Sequence, residues 1–166
     1  MKKDTYWYRY IYPKNLTLFA QKKIVAPEIS LGGNFMFDPN GQYYSTTKIY
    51  GYIKKDSCPY SYIFLLGLLN SSLFWFFIQR TGYVLRGGYY TFKTNYVSPF
   101  PIPSFETLDK ILIDNVEKLV SELIDDNKQL SKEEITDIMK CIDCIIYKIY
   151  SLSDEDIVTI GKCTNQ

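Results

Sequence analysis

Three cations, four aromatic rings and a glycine pair fall within one short stretch: Arg80, Tyr83, Arg86, Gly87, Gly88, Tyr89, Tyr90, Phe92 and Lys93. Arginine pairs in a planar fork with phosphate or with guanine O6 and N7, and tyrosine stacks or hydrogen-bonds. Adjacent glycines let a backbone approach a ligand closely. The pattern describes a nucleic-acid contact; the plainer reading is a connection whose rings pack on a core. A second group, Tyr43, Tyr44, Thr46, Thr47 and Lys48, would sit at the end of a two-stranded ribbon, a shape that fits a major groove. Lys22 and Lys23 either meet phosphates or begin an edge strand. The candidate DNA-binding set is therefore Lys22, Lys23, Tyr43, Tyr44, Thr47, Lys48, Arg80, Tyr83, Arg86, Tyr89, Tyr90 and Lys93.

Residues for catalysis are missing. The chain has no His, which excludes Ser/His/Asp and Cys/His nucleophile systems. No Walker loop or dinucleotide fingerprint occurs. Carboxylates in the first hundred residues are few: Asp4, Glu28, Asp38 and Asp56. A paired acid/base site is not expected among them. Cys141 and Cys144 have the spacing of half a zinc site, but no second pair and no His exists to complete it. Both fall inside a helical apolar pattern and read as small core residues.

Charge separates the chain into two parts. Residues 1–100 hold 12 Lys+Arg against 4 Asp+Glu, and residues 101–166 hold 7 against 14, for a net charge of +1. A basic, Tyr-rich part with a polyanion partner is thus joined to an acidic one; the alternative is that the two parts attract each other or a neighbouring subunit. The start, Met1-Lys2-Lys3-Asp4, has no apolar leader, and a reduced, cytoplasmic setting is expected. The apolar run Ile63–Ile78 is interrupted by Asn70-Ser71-Ser72 and is shorter than the about 20 residues of a spanning helix, so it reads as a buried core helix.

These side chains need a scaffold. Residues 6–54 read as β structure with turns: a run from Lys22 to Ile29, a strand at Asn34–Asp38, a tight hairpin at Pro39-Asn40-Gly41 returning through Gln42–Ser45, and a strand ending near Ile53. Asn15–Phe19 fits a helical turn. One helix is expected from about 60 to 80, opened by Pro59 and apolar nearly all round. Ser98-Pro-Phe-Pro-Ile-Pro103 marks the boundary with the acidic part. Beyond it, Leu108, Ile111, Leu112, Val116, Leu119, Val120, Leu123 and Ile124 form one helical stripe, with Ser104 as N-cap. Ser131-x-x-Glu134 opens a second helix, with Ile135, Ile138, Met139, Ile142, Ile145, Ile146 and Ile149 on its stripe. Ser153-x-x-Asp156 opens a short third, carrying Ile157 and Ile160. The two long helices form an antiparallel pair.

The order of short motifs carries a resemblance. Trp7, Tyr12-Pro13-Lys14-Asn15-Leu16, Lys23-Ile24-Val25-Ala26-Pro27-Glu28-Ile29-Ser30 and Asp38-x-x-Gly41-x-Tyr43-Tyr44 come first. Leu68-Leu69-Asn70-Ser71-x-Leu73-Phe74-Trp75, Arg86-Gly87-Gly88-Tyr89-Tyr90-x-Phe92 and Pro99-Phe100-Pro101-Ile102-Pro103 follow. Together they resemble the TaqI-like C-terminal specificity domain of adenine-specific DNA methyltransferases, found also in single-chain restriction–modification enzymes with an Eco57I-like methylase. The likeness spans about residues 7–103, and the helical tail also looks like that family's C-terminus. It implies an upstream domain that binds S-adenosylmethionine and methylates a flipped-out adenine at N6. The chain itself would read base edges and hold no cofactor. It lacks the Asn-Pro-Pro-aromatic tetrapeptide that holds a flipped adenine, so it reads as a non-catalytic fragment of such an enzyme.

The expectation is an α+β chain: a β-rich recognition domain with one buried helix over 1–103, then a helical spacer and docking region over 104–166. Its expected partners are double-stranded DNA and the upstream methyltransferase domain, with no membrane and a homodimer through helices 105–150 as an option. The alternative function is a protein–protein interaction module that works through the C-terminal helices.

Overall fold

The computed structural model describes residues 16–45 and 48–164. Among these residues the fold is α+β, with two small antiparallel sheets and seven α-helices. A single turn, α1 (Leu16–Phe19), leads into β1 (Lys23–Pro27). β1 is central in a three-stranded sheet, between β3 (Met36–Asp38) and β4 (Ile49–Tyr52). The register sets Lys23 opposite Asp38, and pairs Ile24 with Tyr52 and Pro27 with Ile49. Pro27, which has no N–H to give a ladder, stands at the end of β1, beyond the residues that pair with β3. The second sheet joins β2 (Ile29–Ser30) to β5 (Tyr90–Thr91).

The expected hairpin at Asn40-Gly41 does not form. β3 and β4 both pair with β1, on opposite sides, and Gln42–Ser45 is not a strand. The local turn signal is overridden because the Asp38 carboxylate captures the amides that a returning strand would use: Gln42 N–H and Tyr43 N–H each donate to it at 3.0 Å.

The expected helix at 60–80 is two helices, α2 (Tyr62–Leu69) and α3 (Ser72–Thr81), bent by 59°. Asn70 and Ser71 cause the break. The Ser71 hydroxyl accepts the Phe74 N–H at 3.1 Å and caps α3. The Asn70 amide bonds the main chain of Phe35 in both directions, at 2.9 and 3.0 Å, which fixes the bend against the segment before β3. Among the described residues no single helix is long and apolar enough to cross a membrane. The bent pair holds Phe64, Leu66, Leu68, Phe74 and Ile78 in the protein core.

After a short helix, α4 (Thr94–Val97), the Pro-rich segment crosses the surface without regular structure, but it is tied down. Phe100 is buried against Phe74, and the hydroxyls of Tyr60 and Tyr150 donate to the carbonyls of Pro103 and Pro101. The antiparallel pair follows as α5 (Lys110–Leu123) and α6 (Lys132–Ile149), then α7 (Asp154–Thr164). The capping box at Ser131 and Glu134 is formed, and Ser153 and Asp156 make the equivalent exchange. Asp109, not Ser104, caps α5; Ser104 precedes only a 3-10 turn.

The stripe of α5 is rotated from its expected position. Ile113, Val116 and Val120 are buried, whereas Ile111 is 65% exposed. On α6, Ile142, Ile146 and Ile149 are buried, and Cys141 and Cys144 are exposed, not core residues as their spacing suggested. The α5 stripe closes over α2 and the α6 stripe packs on α5 and α3, so the basic and acidic parts share one buried cluster. Full burial of a side chain such as Ile142 or Ile146 contributes about 1.5–3 kcal/mol. A polar tie adds to this packing: the Ser72 N–H and hydroxyl donate to Asp143 of α6, at 2.8 and 2.6 Å.

Close approach of α2 to α5 depends on Gly67. A Cβ placed there would lie 2.7 Å from Val120 Cγ2 and 3.0 Å from Val116 Cγ1. Gly67→Leu should overpack this seam and destabilise the fold by about 1–3 kcal/mol, seen as a lower midpoint in urea. An unchanged midpoint would show that the helices part freely.

Candidate nucleic-acid interface

Residues 82–92 form a hairpin whose tip carries Arg86. Val84 bridges Tyr90, the Leu85 N–H donates to the Tyr89 carbonyl at 2.7 Å, and the Thr91 N–H donates to the Tyr83 carbonyl at 3.3 Å. The turn itself is Leu85-Arg86-Gly87-Gly88, closed by the Gly88 N–H on the Leu85 carbonyl at 3.2 Å. Gly87 takes φ +88° and Gly88 φ +80°. A positive φ at the third turn position is the mark of a type II turn and is strained for any side chain with a Cβ. The glycine pair therefore has a conformational reason, and its result is to set Arg86 at the apex with its side chain in solvent.

The base of this hairpin is rigid. Phe92 is fully buried, its ring stacked with Trp75 at 6.3 Å and edge-on to Phe35 at 5.7 Å. Tyr90 is half-buried and edge-on to Trp75 at 5.2 Å. Tyr90 thus belongs to the support, whereas Tyr83 and Tyr89 are exposed at 59% and 43%. An exposed pair of rings beside an arginine on an anchored turn can stack on, or hydrogen-bond to, a flat polar ligand.

Lys93 follows β5 and Lys48 precedes β4, and the fold brings them together. Each ammonium lies 3.7 Å from the Glu28 carboxylate. Glu28 also joins the sheets through its main chain: its N–H donates to the Lys48 carbonyl and its carbonyl accepts the Phe92 N–H, both at 2.8 Å. Both lysines belong to the candidate DNA-binding set on residue type and spacing, which give Glu28 no part in it. They are 45 residues apart in the chain, and no local pattern signals their convergence.

The remaining positions lie elsewhere. Tyr43 and Tyr44 are exposed on the loop after β3, at the Lys23 end of β1. Lys48 stands at the other end of β1, four residues along, or roughly 13 Å at about 3.3 Å per residue. The Tyr44 ring leans on Phe19 at 5.9 Å. Lys22 is exposed, and its carbonyl accepts the Tyr62 hydroxyl. Arg80, in the last turn of α3, lies over the Phe76 ring at 5.1 Å and donates to Cys163 Sγ of α7 at 3.0 Å, so its partners are helical. Thr47 lies outside the described residues.

Lys23 is a correction. Its side chain is 1% exposed and bonds to Asp38, which is equally buried, and to the Phe19 carbonyl. A buried ammonium with two acceptors is not available to phosphate. Burial pushes the Asp38 carboxyl up, but the bonds from Lys23, Tyr43 and Gln42 outweigh it and hold the group below its ordinary range.

Comparison with known proteins agrees with this anatomy. The family model described as TaqI-like C-terminal specificity domain matches residues 1–102. That span includes β1 to β5, the hairpin and both halves of the bent helix pair. No curated protein sequence matches the chain.

Proposed function

The chain belongs to the family of TaqI-like C-terminal specificity domains, and from that premise we propose that it reads a DNA target site for an N6-adenine methyltransferase or restriction–modification enzyme. A specificity domain is not itself the catalyst. Under this reading S-adenosylmethionine and the methyl transfer belong to an upstream domain, and this chain supplies grip and sequence choice.

The observation that carries the reading is the anchored hairpin, with Arg86 at its apex and Tyr83, Tyr89 and the Lys48–Lys93 pair exposed on the same β framework. Lysines at its base neutralise phosphates, which positions the domain and makes affinity salt-dependent. Arg86 contacts a base edge, where a bidentate bond to guanine discriminates by about 1–3 kcal/mol. Tyr43 and Tyr44 extend the footprint to the other end of β1, and Lys22 adds charge there.

The helical part fits docking to the rest of the enzyme better than an interaction module acting alone. The inner face of α5 already covers α2, and that of α6 is taken up by α5 and α3. A homodimer through these helices would have to use their outer faces.

A titration against random duplex DNA at two salt concentrations, with sequencing of the bound fraction, tests the proposal. An enriched motif is the expected result. Arg86→Ala should lower affinity for that motif roughly tenfold and relax the choice at one base position, the size of one lost bidentate contact. Unchanged affinity and unchanged motif would remove Arg86 from the interface. No binding at low salt would overturn the DNA reading as a whole.

A further inference from the structure

Among the described residues, Glu28 is the one carboxylate at the exposed lysine pair, and target reading as described gives it no part. It connects β1 to β2 at the point where both sheets are tied through its main chain. Its side chain is 17% exposed, whereas those of Lys48 and Lys93 are 79% and 54% exposed. Lys48 Nζ lies 3.7 Å from Oε2 and Lys93 Nζ 3.7 Å from Oε1, one ammonium per carboxylate oxygen. Both distances exceed a hydrogen bond, and both lysines remain largely in water. Such pairs are weak and screened, so Glu28 sets where the two cations converge without locking them.

A DNA phosphodiester carries the same single charge on two free oxygens. We propose that Lys48 and Lys93 form a clamp for one backbone phosphate, and that Glu28 is an internal anion that holds the clamp in place and competes with that phosphate. The inference rests on the DNA reading above. Its consequence concerns overall affinity and its salt dependence. A phosphate contact carries no sequence information. An internal competitor lowers affinity for every duplex by about the same factor and leaves the base contacts untouched, so the domain holds less tightly to DNA in general while the ranking of sites stays with the base contacts.

The test uses the full chain and a duplex of random sequence, comparing wild type, Glu28→Gln, the double variant Lys48→Gln/Lys93→Gln, and all three changes together. Glu28→Gln keeps the side-chain shape and the main-chain bonds. It should tighten binding about fivefold, the scale of one exposed ion pair, and steepen the salt dependence. The double lysine variant should bind more weakly, and adding Glu28→Gln to it should change nothing. Glu28→Asp, which withdraws the charge by one methylene, should fall between wild type and Glu28→Gln; it serves as the readout if the Gln variant melts early. Equal or weaker binding by Glu28→Gln overturns the competition. So does a gain that persists without the lysines, because that is a general charge effect. If wild type fails to bind DNA at any salt concentration, the DNA reading itself falls, and the inference with it.

Discussion

Lys23→Ala should destabilise the fold by about 3–5 kcal/mol, because it strands the buried Asp38 carboxylate without its cation. The expected readout is a lower urea midpoint with an unchanged slope, which separates lost stability from a change in compactness. The effect reaches beyond the pair. Lys23 also bonds the Phe19 carbonyl, and Asp38 holds the amides of Gln42 and Tyr43. The loop that carries Tyr43 and Tyr44 should therefore lose hydrogen-exchange protection first. Replacing the pair together, Lys23→Met with Asp38→Leu, should recover only part of the loss, since the two loop amides then lack an acceptor. Full recovery would show that the pair contributes charge compensation alone. The pH dependence has a definite sign. The folded Asp38 carboxyl lies below its ordinary value of 3.8, so its stabilisation is complete above that value and fades as pH falls through the lower folded one. A wild-type acid limb that Asp38→Asn leaves in place would contradict this assignment.

Phe74→Ala should cost a similar amount, about 3–5 kcal/mol. Phe74 is fully buried at the point where four segments meet. Its ring is edge-on to Phe35 at 5.6 Å and to Phe100 at 5.0 Å, and lies 6.5 Å from Phe92. It thus holds α3 to the segment before β3, to the base of the Arg86 hairpin and to the Pro-rich crossing. The cavity would open beside Phe92, so the variant should also bind DNA more weakly under the proposed function, through a looser hairpin. Denaturation and hydrogen exchange together check this. A stability loss under about 1 kcal/mol would mean that the surrounding rings collapse to fill the space. Protection lost in α5 and α6 but kept in the hairpin would mean that Phe74 supports the helical side only.

These two residues differ in how far sequence foretold them. Phe74 sits in an apolar run between Ser71 and Ile78, and its burial follows from that run. Lys23 read as a surface cation because a lysine beside a strand is usually solvated. Only the register that sets it opposite Asp38, 15 residues away, makes it a core residue. The hairpin at Asn40-Gly41 failed for the same reason: a turn propensity worth little by itself yielded to the carboxylate of Asp38. The single helix at 60–80 failed on a local signal that was present. Ser71 is a good N-cap, and Asn70 and Ser71 together end one helix and begin the next.

Within the candidate site, the exposed Arg86, Tyr83, Tyr89, Lys48 and Lys93 were all named from residue type and spacing. The glycine pair, read from sequence as letting the backbone approach a ligand closely, forms the turn at residues 87–88. Tyr90 and Phe92, with the same composition around them, proved to be supports. Alternation along a short strand cannot say which face a sheet will cover until its partner is known.

Near neighbours in the chain account for the local features: the capping boxes at Ser131 and Ser153, the periods of α5 and α6, the turn glycines, and the division of charge between the two parts. Each depends on residues a few positions apart, whose interactions form whatever the rest of the chain does. Long-range packing is what sets β1 between β3 and β4, buries Lys23, closes α2 on α5 through Gly67, and gathers Lys48 and Lys93 at Glu28. Those outcomes join residues 11 to 65 positions apart. They are set by which apolar surfaces can be buried together once every main-chain group has a partner, a condition on the whole chain that no local pattern contains.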